Sequence, residues 1–154
     1  TMEEGMIFEF DDCMRETLKM EAGDADTCHP LVLAYMGDCV YALIIKNMVV
    51  SFGVRHVHQL HDKTSSYVQA STQSLMMRAM QQQLTEEEHV IYRRGRNTKS
   101  VSPAKNQTIT DYRRATGFEA LLGDLYLKKE YARLMELVKI GLDSLEKKEE
   151  GNGE

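Results

Sequence analysis

Two acidic residues stand within stretches of sequence that are otherwise largely apolar. Asp38 lies within Leu31–Leu43, and Glu119 lies within Ala115–Leu127. A helix that is apolar on every side is normally buried, and a buried carboxylate without a partner is costly. The residues four positions away are small, namely Ala34, Ala42, Ala115 and Gly123. Small neighbours on the same helical face leave room for a second helix, a metal or a substrate.

If the two apolar stretches meet, two carboxylates converge without a lysine or arginine in either helix core. A hard divalent cation relieves their repulsion, and Mg²⁺ suits the pair because it needs few protein carboxylates and keeps several waters. Such a cation activates water for attack on a phosphodiester and stabilises the charge on the phosphate. The residues alone leave an alternative open, in which Asp38 and Glu119 are surface acids or pair with distant arginines.

Charge is strongly segregated along the chain. The whole sequence holds 19 Lys and Arg against 24 Asp and Glu, yet Ile91–Arg114 contains seven basic residues and one acid. An arginine side chain can bind two phosphate oxygens at once. Aromatic residues are scarce in this stretch, which favours recognition of duplex RNA over recognition of single strands by base stacking. The predicted RNA-binding residues are Arg93, Arg94, Arg96, Asn97, Lys99, Lys105 and Arg113. The alternative is a solvated loop that aids solubility.

Two other groups of residues carry weaker signals. His56, His58 and His61 form a cluster, but no cysteine accompanies them at zinc-ligand spacing, so we expect a polar entry into a helix. The three cysteines match no zinc or redox motif, which excludes a disulfide scaffold.

Helices are predicted to position all of these residues. The sequence has 2 Pro, 10 Met and few β-branched runs, which favours an all-α fold. Gly95–Thr110 lacks periodicity and is predicted to be a functional loop. The predicted helices are Leu31–Val50 after a first-turn proline, Lys63–Gln82, Glu86–Arg94 with a Thr85 and Glu88 capping box and a stop at Gly95, Asp111–Leu127, and Glu130–Lys147.

The class of protein follows from composition and length. A chain of 154 residues with 42% hydrophobic residues suits one domain with a real core. Its longest apolar run, Leu31–Ile45, is too short and too charged to span a bilayer, and no secretory signal is present. We therefore expect a soluble cytoplasmic protein.

Four motifs together resemble a known family. Leu33–Tyr41 (LAYMGDCVY) and Phe118–Leu127 (FEALLGDLYL) resemble the two metal-binding helices of the ribonuclease III endonuclease domain. Tyr112–Glu119 and Arg93–Asn97 resemble signatures of its short bacterial branch, Mini-ribonuclease III, which lacks a double-stranded-RNA-binding domain. The resemblance runs from about Cys28 to Leu145. It makes residues 28–148 a catalytic domain, preceded by an acidic arm or short helix at 1–27 and followed by a tail at 149–154.

The resemblance implies an all-α helical bundle that forms a homodimer, cleaves double-stranded RNA with Mg²⁺ and matures precursor 23S ribosomal RNA. It makes Asp38 and Glu119 the catalytic and metal-binding residues, and the basic stretch the RNA contact. The dimer interface would lie on the Asp38 helix, with Tyr35, Met36 and Val40. A large-subunit ribosomal protein that presents the RNA is a further partner that the sequence leaves open.

The sequence also departs from the family. Full-length members carry further acids at the positions of Leu31, Ala34 and Thr116, so fewer protein ligands are expected here and the number of metals stays open. Asp124 lies about 140° around the helix from Glu119, so we expect it to be exposed and not a ligand. Two other functions are considered: a catalytically inactive relative that binds structured RNA, and a helical protein-interaction module.

Overall fold

Helices make up almost all of the described chain, which comprises residues 10–21, 23–98 and 108–152 of a computed structural model. No strand occurs in these ranges, so the all-α prediction is confirmed. Short 3₁₀ turns at Ala25–Thr27 and Gln81–Gln83 precede the second and fifth helices. The helices are α1 (Phe10–Leu18), α2 (Pro30–Ser51), α3 (Val57–Val68), α4 (Ala70–Met80), α5 (Glu86–Asn97), α6 (Ile109–Leu127) and α7 (Tyr131–Asn152).

The ends of two helices follow the predicted local chemistry. Pro30 occupies the first turn of α2, and the side chain of His29 accepts a hydrogen bond from the Leu31 N–H at 3.1 Å. At the start of α5, Thr85 and Glu88 form a complete capping box with bonds of 2.8 and 3.1 Å. Both caps satisfy N–H groups that the first turn of a helix leaves unpaired.

The predicted helix Lys63–Gln82 is wrong, because two helices occupy this part of the chain. The break falls at Gln69, whose backbone is extended at φ −65° and ψ 150°. Thr72 Oγ1 donates to the Ser66 carbonyl at 2.7 Å, and Gln73 Nε2 donates to the Val68 carbonyl at 2.8 Å. These side chains donate hydrogen bonds to backbone carbonyls at the end of α3. The chain can therefore turn at Gln69 without glycine or proline.

The predicted stop at Gly95 is also wrong. Gly95 is buried inside α5, which continues to Asn97. Its missing side chain serves the packing of α5 on α6, and does not end the helix. The last helix likewise continues beyond the predicted Lys147 to Asn152.

The core is built around α6, which packs against α2, α4, α5 and α7. Three methionines fill it on the α4 side and are fully buried, in keeping with the adaptable shape of this side chain. Each fully buried large apolar side chain contributes about 1.5–3 kcal/mol. The largest core residues are Tyr41 and Ile45 of α2, Met76, Met77 and Met80 of α4, Tyr92 of α5, Phe118, Leu121, Leu122 and Leu125 of α6, and Leu137 of α7.

Helix α2 is long and apolar enough to cross a bilayer by length and composition alone, with a mean hydropathy of 1.4. The core helix of a globular protein has the same properties. In this chain Leu33, Tyr41 and Ile45 of α2 are buried against neighbouring helices. Packing in the bundle therefore accounts for one face of α2, while Val32, Tyr35 and Leu43 leave a second apolar face exposed.

Candidate active site

Helices α2 and α6 touch backbone to backbone at two glycines. A side chain on Gly37 would collide with the carbonyl oxygen of Glu119 and lie 2.9 Å from the Gly123 nitrogen. A side chain on Gly123 would collide with the Leu33 carbonyl. Asp38 directly follows Gly37, so this crossing brings the Asp38 side chain close to the side chain of Glu119 on α6.

The carboxyl groups of Asp38 and Glu119 lie side by side, because the two apolar stretches meet at this crossing. Asp38 is exposed, whereas Glu119 is half-buried. Burial raises the pKa of Glu119 to about 8, and the neighbouring Asp38 carboxyl adds to the rise through its charge and a hydrogen bond. Near neutral pH the pair therefore holds a proton when no cation is present.

The donor chemistry of this pair fits a hard divalent cation. Neither carboxyl forms an ion pair with a lysine or arginine in the described ranges. The same ranges contain no group of three or more His, Cys, Asp or Glu placed to hold a metal. Two carboxylates suffice for Mg²⁺, which commonly takes its remaining ligands from water and substrate phosphate.

Tyr41 is buried within electrostatic range of Glu119, a neighbour of the pair that the sequence analysis did not name. Its hydroxyl donates to the Tyr67 carbonyl at 2.8 Å, and its ring packs edge-on against Phe118 at 5.2 Å. Burial, together with the charges of Tyr67 and Glu119, raises the pKa of the Tyr41 hydroxyl above its ordinary value. The position of Tyr41 one turn after Asp38 was the available signal.

The predicted RNA-binding residues that the structure describes lie at the end of α5 and the start of α6. Arg93, Arg94, Asn97 and Arg113 are exposed. The described part of the chain offers none of these arginines an ion-pair partner. Arginines left without an internal partner keep their donors available for phosphate.

Arg96 is held more closely than the other arginines of this surface. Its guanidinium lies over the Tyr92 ring at 5.5 Å, and its Nε donates to Asn97 Oδ1 at 3.2 Å. Lys99 and Lys105 lie outside the described residues, so their placement stays a prediction.

A second pair of glycines fixes α5 against α6. A side chain on Gly95 would lie 2.7 Å from Ala120 Cβ, and one on Gly117 would lie 2.7 Å from the Tyr92 carbonyl. Gly117 is two residues before Glu119 in the sequence. The arginine-bearing helix therefore packs directly on the helix that carries Glu119.

Comparison with known proteins gives the family that the motifs resemble. The ribonuclease III domain family matches residues 31–130. The Mini-ribonuclease 3 of Clostridium tetani is 45% identical over 132 residues, which cover 85% of this chain and 87% of the relative. The Mini-ribonuclease 3 of Enterococcus faecalis is 47% identical over 110 residues, which cover 70% and 83% of the two chains.

This chain belongs to the ribonuclease III family, in its Mini-ribonuclease 3 branch. The fold agrees, because the crystal structure of protein FN1578 from Fusobacterium nucleatum is similar with a TM-score of 0.71 and 28% identity. That match covers 77% of this chain and 97% of the other. As a member of the family, the chain is an endoribonuclease that acts on double-stranded RNA. Family membership thus favours the enzyme over the protein-interaction module.

Asp124 of this ribonuclease III-family chain is buried, so the prediction that it is exposed is wrong. Only 3% of the residue is exposed, and its Oδ2 pairs with Lys128 Nζ at 3.1 Å. The first residues of α5 and α7 cover this face of α6, which the helical angle alone did not show. The same angle keeps Asp124 away from Glu119, and the two acids line different surfaces.

Proposed function

We propose that this ribonuclease III-family enzyme uses Mg²⁺ at Asp38 and Glu119 to cut double-stranded RNA. The observation that carries the proposal is the convergence of these two carboxyls at the α2–α6 crossing. A pair that is partly buried, adjacent and without a basic partner in the described ranges is stabilised by a divalent cation.

The protein's own residues divide the work of the reaction. Bound at the carboxyl pair, Mg²⁺ would supply an activated water and would stabilise the negative charge on the phosphate. Asp38 and Glu119 would hold the cation through their carboxylate oxygens, and Glu119 would release its proton to solvent when the cation binds. Arg93 and Arg94 hold backbone phosphates and so orient the strand over the pair. No side chain is needed as a covalent nucleophile.

The natural substrate proposed is precursor 23S ribosomal RNA in the cytoplasm. This part rests on Arg93–Asn97 and Tyr112–Glu119, the motifs that resemble the short branch of the family. Cleavage should therefore fall near the ends of the mature 23S sequence, and should be faster there than on an unrelated duplex. A large-subunit ribosomal protein as helper is tested by comparing free RNA with ribosomal particles. Equal rates on precursor and unrelated duplexes would contradict the proposed substrate.

A homodimer is also proposed, with its interface on the free face of α2. Val32, Tyr35 and Leu43 are 49%, 77% and 56% exposed and share this face. Met36 is half-buried, and Val40 packs partly against the core, so Tyr35 is the most available of the three residues predicted for the interface. Two-fold pairing would give the two antiparallel strands of a duplex one carboxyl pair each.

The deciding experiment is cleavage of a long RNA duplex with Mg²⁺ or with EDTA, run beside Asp38→Asn. The wild type should cut only with Mg²⁺, and Asp38→Asn should bind the duplex without cutting it. Asp143→Asn is the matched control, because Asp143 lies on α7 in an exposed pair with Lys139. Duplex binding by the wild type without any cleavage would support the catalytically inactive relative instead.

A further inference from the structure

Helix α1 exposes apolar residues that a helix usually turns towards a core. Phe10, Met14 and Leu18 follow one another at intervals of four residues, so they form one stripe along the helix. Phe10 is 77% exposed and Leu18 is 65% exposed, whereas Met14 is half-buried. An amphipathic helix normally buries such a stripe against another element. The described part of this chain leaves the stripe of α1 largely uncovered.

Polar contacts attach α1 to the junction of α6 and α7. Asp12 pairs with Lys129, which lies between these two helices. Asp11 is only 4% exposed and lies within electrostatic range of Tyr126 on α6. The acids of α1 therefore face the protein, while Phe10 and Leu18 face the solvent.

The stripe of α1 adjoins the free face of α2. Tyr126 lies within electrostatic range of Asp11 on α1 and also of Cys39 on α2. Cys39 is exposed, one turn after Tyr35 and one turn before Leu43, so it belongs to the free face of α2. The two exposed apolar surfaces thus border the same tyrosine. We name them together the N-terminal apolar patch, whose large exposed residues are Phe10, Leu18, Val32, Tyr35 and Leu43.

A stable dimer needs more surface than the free face of α2 presents. Specific interfaces bury about 800 Å² on each partner, which is roughly 20–30 residues a side. The free face of α2 is a single row of side chains along one helix, with Val32, Tyr35 and Leu43 as large apolar members. A second helix beside this row would enlarge the contact, and α1 is the helix in that position.

A second copy of the chain suits this patch better than RNA does. Helix α1 carries three acids and one base, so it repels phosphate. Asp38 points about 100° around α2 from Cys39, which turns the patch away from the carboxyl pair. An interface with two-fold symmetry joins the same patch of both copies, so one apolar patch provides both sides of it.

We propose that α1 forms part of the dimer interface, where Phe10 and Leu18 pack against a second copy of this chain. The proposal rests on the homodimer proposed above and adds the N-terminal helix to its interface. Association removes the apolar side chains of α1 from water, and this burial stabilises the dimer.

The experiment is sedimentation equilibrium of the intact chain over a range of protein concentrations. Phe10→Ala with Leu18→Ala should weaken the dimer at least tenfold, because both side chains lose most of their apolar area. Both residues are exposed in the single chain, so the change leaves the fold of each copy intact. The matched control is Val90→Ala with Met135→Ala, whose residues are 43% and 46% exposed on α5 and α7. The control should dimerise as the wild type does.

Hydrogen exchange provides a second measurement that needs no variant. The amides of α1 exchange by local opening of the helix, and a partner that covers the helix opposes this opening. They should therefore exchange more slowly well above the dissociation constant of the dimer than well below it.

Failure of the homodimer and failure of the role given to α1 can be told apart. A wild type that stays monomeric at every concentration would contradict the homodimer, and this proposal with it. A dimer that Tyr35→Glu disrupts, but that Phe10→Ala with Leu18→Ala leaves unchanged, would place α1 outside the interface. Equal weakening by the control variant would mean nonspecific apolar association. Exchange of the α1 amides that does not depend on concentration would also overturn the proposal.

Discussion

The protonation of Glu119 links the candidate site to the stability of the fold. In the native protein its pKa is raised to about 8 from an ordinary value of 4.5, first by burial and then by Asp38. Between these two values the native state keeps a proton that the unfolded chain has lost. The free energy of unfolding therefore falls as pH rises from about 4.5 to about 8.

Replacement of Glu119 by Gln should make the metal-free protein more stable at alkaline pH. Glutamine has the same shape and cannot ionise, so Glu119→Gln should match the wild type at pH 5 and exceed it at pH 9. One pKa unit corresponds to about 1.4 kcal/mol, and after relaxation of the site we expect a gain of roughly 1–3 kcal/mol. Urea unfolding in EDTA measures it.

The control for this effect is Asp62→Asn, which changes an exposed acid paired with His58. Its pH profile of stability should follow that of the wild type. A parallel profile for Glu119→Gln would show that Glu119 keeps an ordinary pKa in the folded protein.

At the scale of helices, glycines set the spacing on which the candidate site depends. Gly37 and Gly123 bring α2 and α6 into backbone contact, and Gly95 and Gly117 do the same for α5 and α6. Tightly packed interiors cannot absorb an added methyl group without moving their neighbours. The positions of Asp38, Glu119 and the arginines are therefore settled by residues that carry no functional group.

Gly37→Ala should separate α2 from α6. The added methyl group meets the Glu119 carbonyl, so the backbone must shift, and we expect a loss of about 2–4 kcal/mol in stability. RNA cleavage should fall more than duplex binding, because the carboxyl pair moves apart while the α5 arginines stay.

The matched control for Gly37→Ala is Gly151→Ala on α7, where no atom lies within 4 Å of the added group. It should be neutral or slightly stabilising. Unfolding by urea and single-turnover cleavage would measure the two effects separately. Unchanged cleavage in Gly37→Ala would contradict the role given to the crossing.

The end of α5 should provide much of the RNA affinity. Changing Arg94 and Arg96 together to Ala should cause a severe loss of duplex binding. The slope of log affinity against log salt concentration should fall by the amount that about two phosphate contacts contribute. Lys139→Ala on α7 removes an exposed basic residue that pairs with Asp143 and should bind normally. Filter binding at salt concentrations from 50 to 200 mM tests this, because affinity from phosphate contacts falls steeply over that range. An unchanged slope in the double variant would count against α5 as the RNA contact.

The sequence predicted the elements of this site better than their boundaries. Apolar stretches and small neighbours marked Asp38 and Glu119 as candidates, but their convergence depends on the contact between α2 and α6, which is a tertiary feature. The break at Gln69 depends on Thr72 and Gln73 reaching back to carbonyls of α3, and no turn-forming residue marks it. Gly95 has the composition of a helix stop, and only tertiary packing against α6 shows its other use.

The burial of Asp124 could not be predicted from the sequence, for a related reason. Helical angle gives the direction of a side chain, but not which other element covers that direction. Here the covering residues come from α5 and α7, which lie well before and just after Asp124 in the sequence.

At the scale of the whole molecule, charge and apolar surface are separated. Acids dominate Thr1–Asp26, which holds nine acids and two bases, whereas the bases are concentrated between Ile91 and Arg114. Part of the acidic segment is tied to the α6–α7 junction, because Asp12 pairs with Lys129 and Asp26 pairs with Lys128. The exposed apolar face of α2 belongs to neither charged region.

Tyr35→Glu should convert the proposed dimer to a monomer. A charge at the most exposed residue of this face cannot be desolvated cheaply in an apolar interface. Sedimentation equilibrium should show the monomer, with cleavage of duplex RNA strongly reduced. Met135→Glu is the control, because Met135 is a 46% exposed apolar residue on α7, which carries none of the predicted RNA-binding residues. A wild-type protein that sediments as a monomer would contradict the dimer itself.

The glycine contact between α2 and α6 has a consequence for how the enzyme loses its activity on heating. Many enzymes inactivate before they denature, because a loop that carries the site melts first. Here the two carboxyl-bearing backbones touch each other within the most extensive helix–helix contact of the described chain. The site cannot lose its geometry while the core remains folded. The thermal inactivation curve for cleavage should therefore coincide with the melting curve for helical structure.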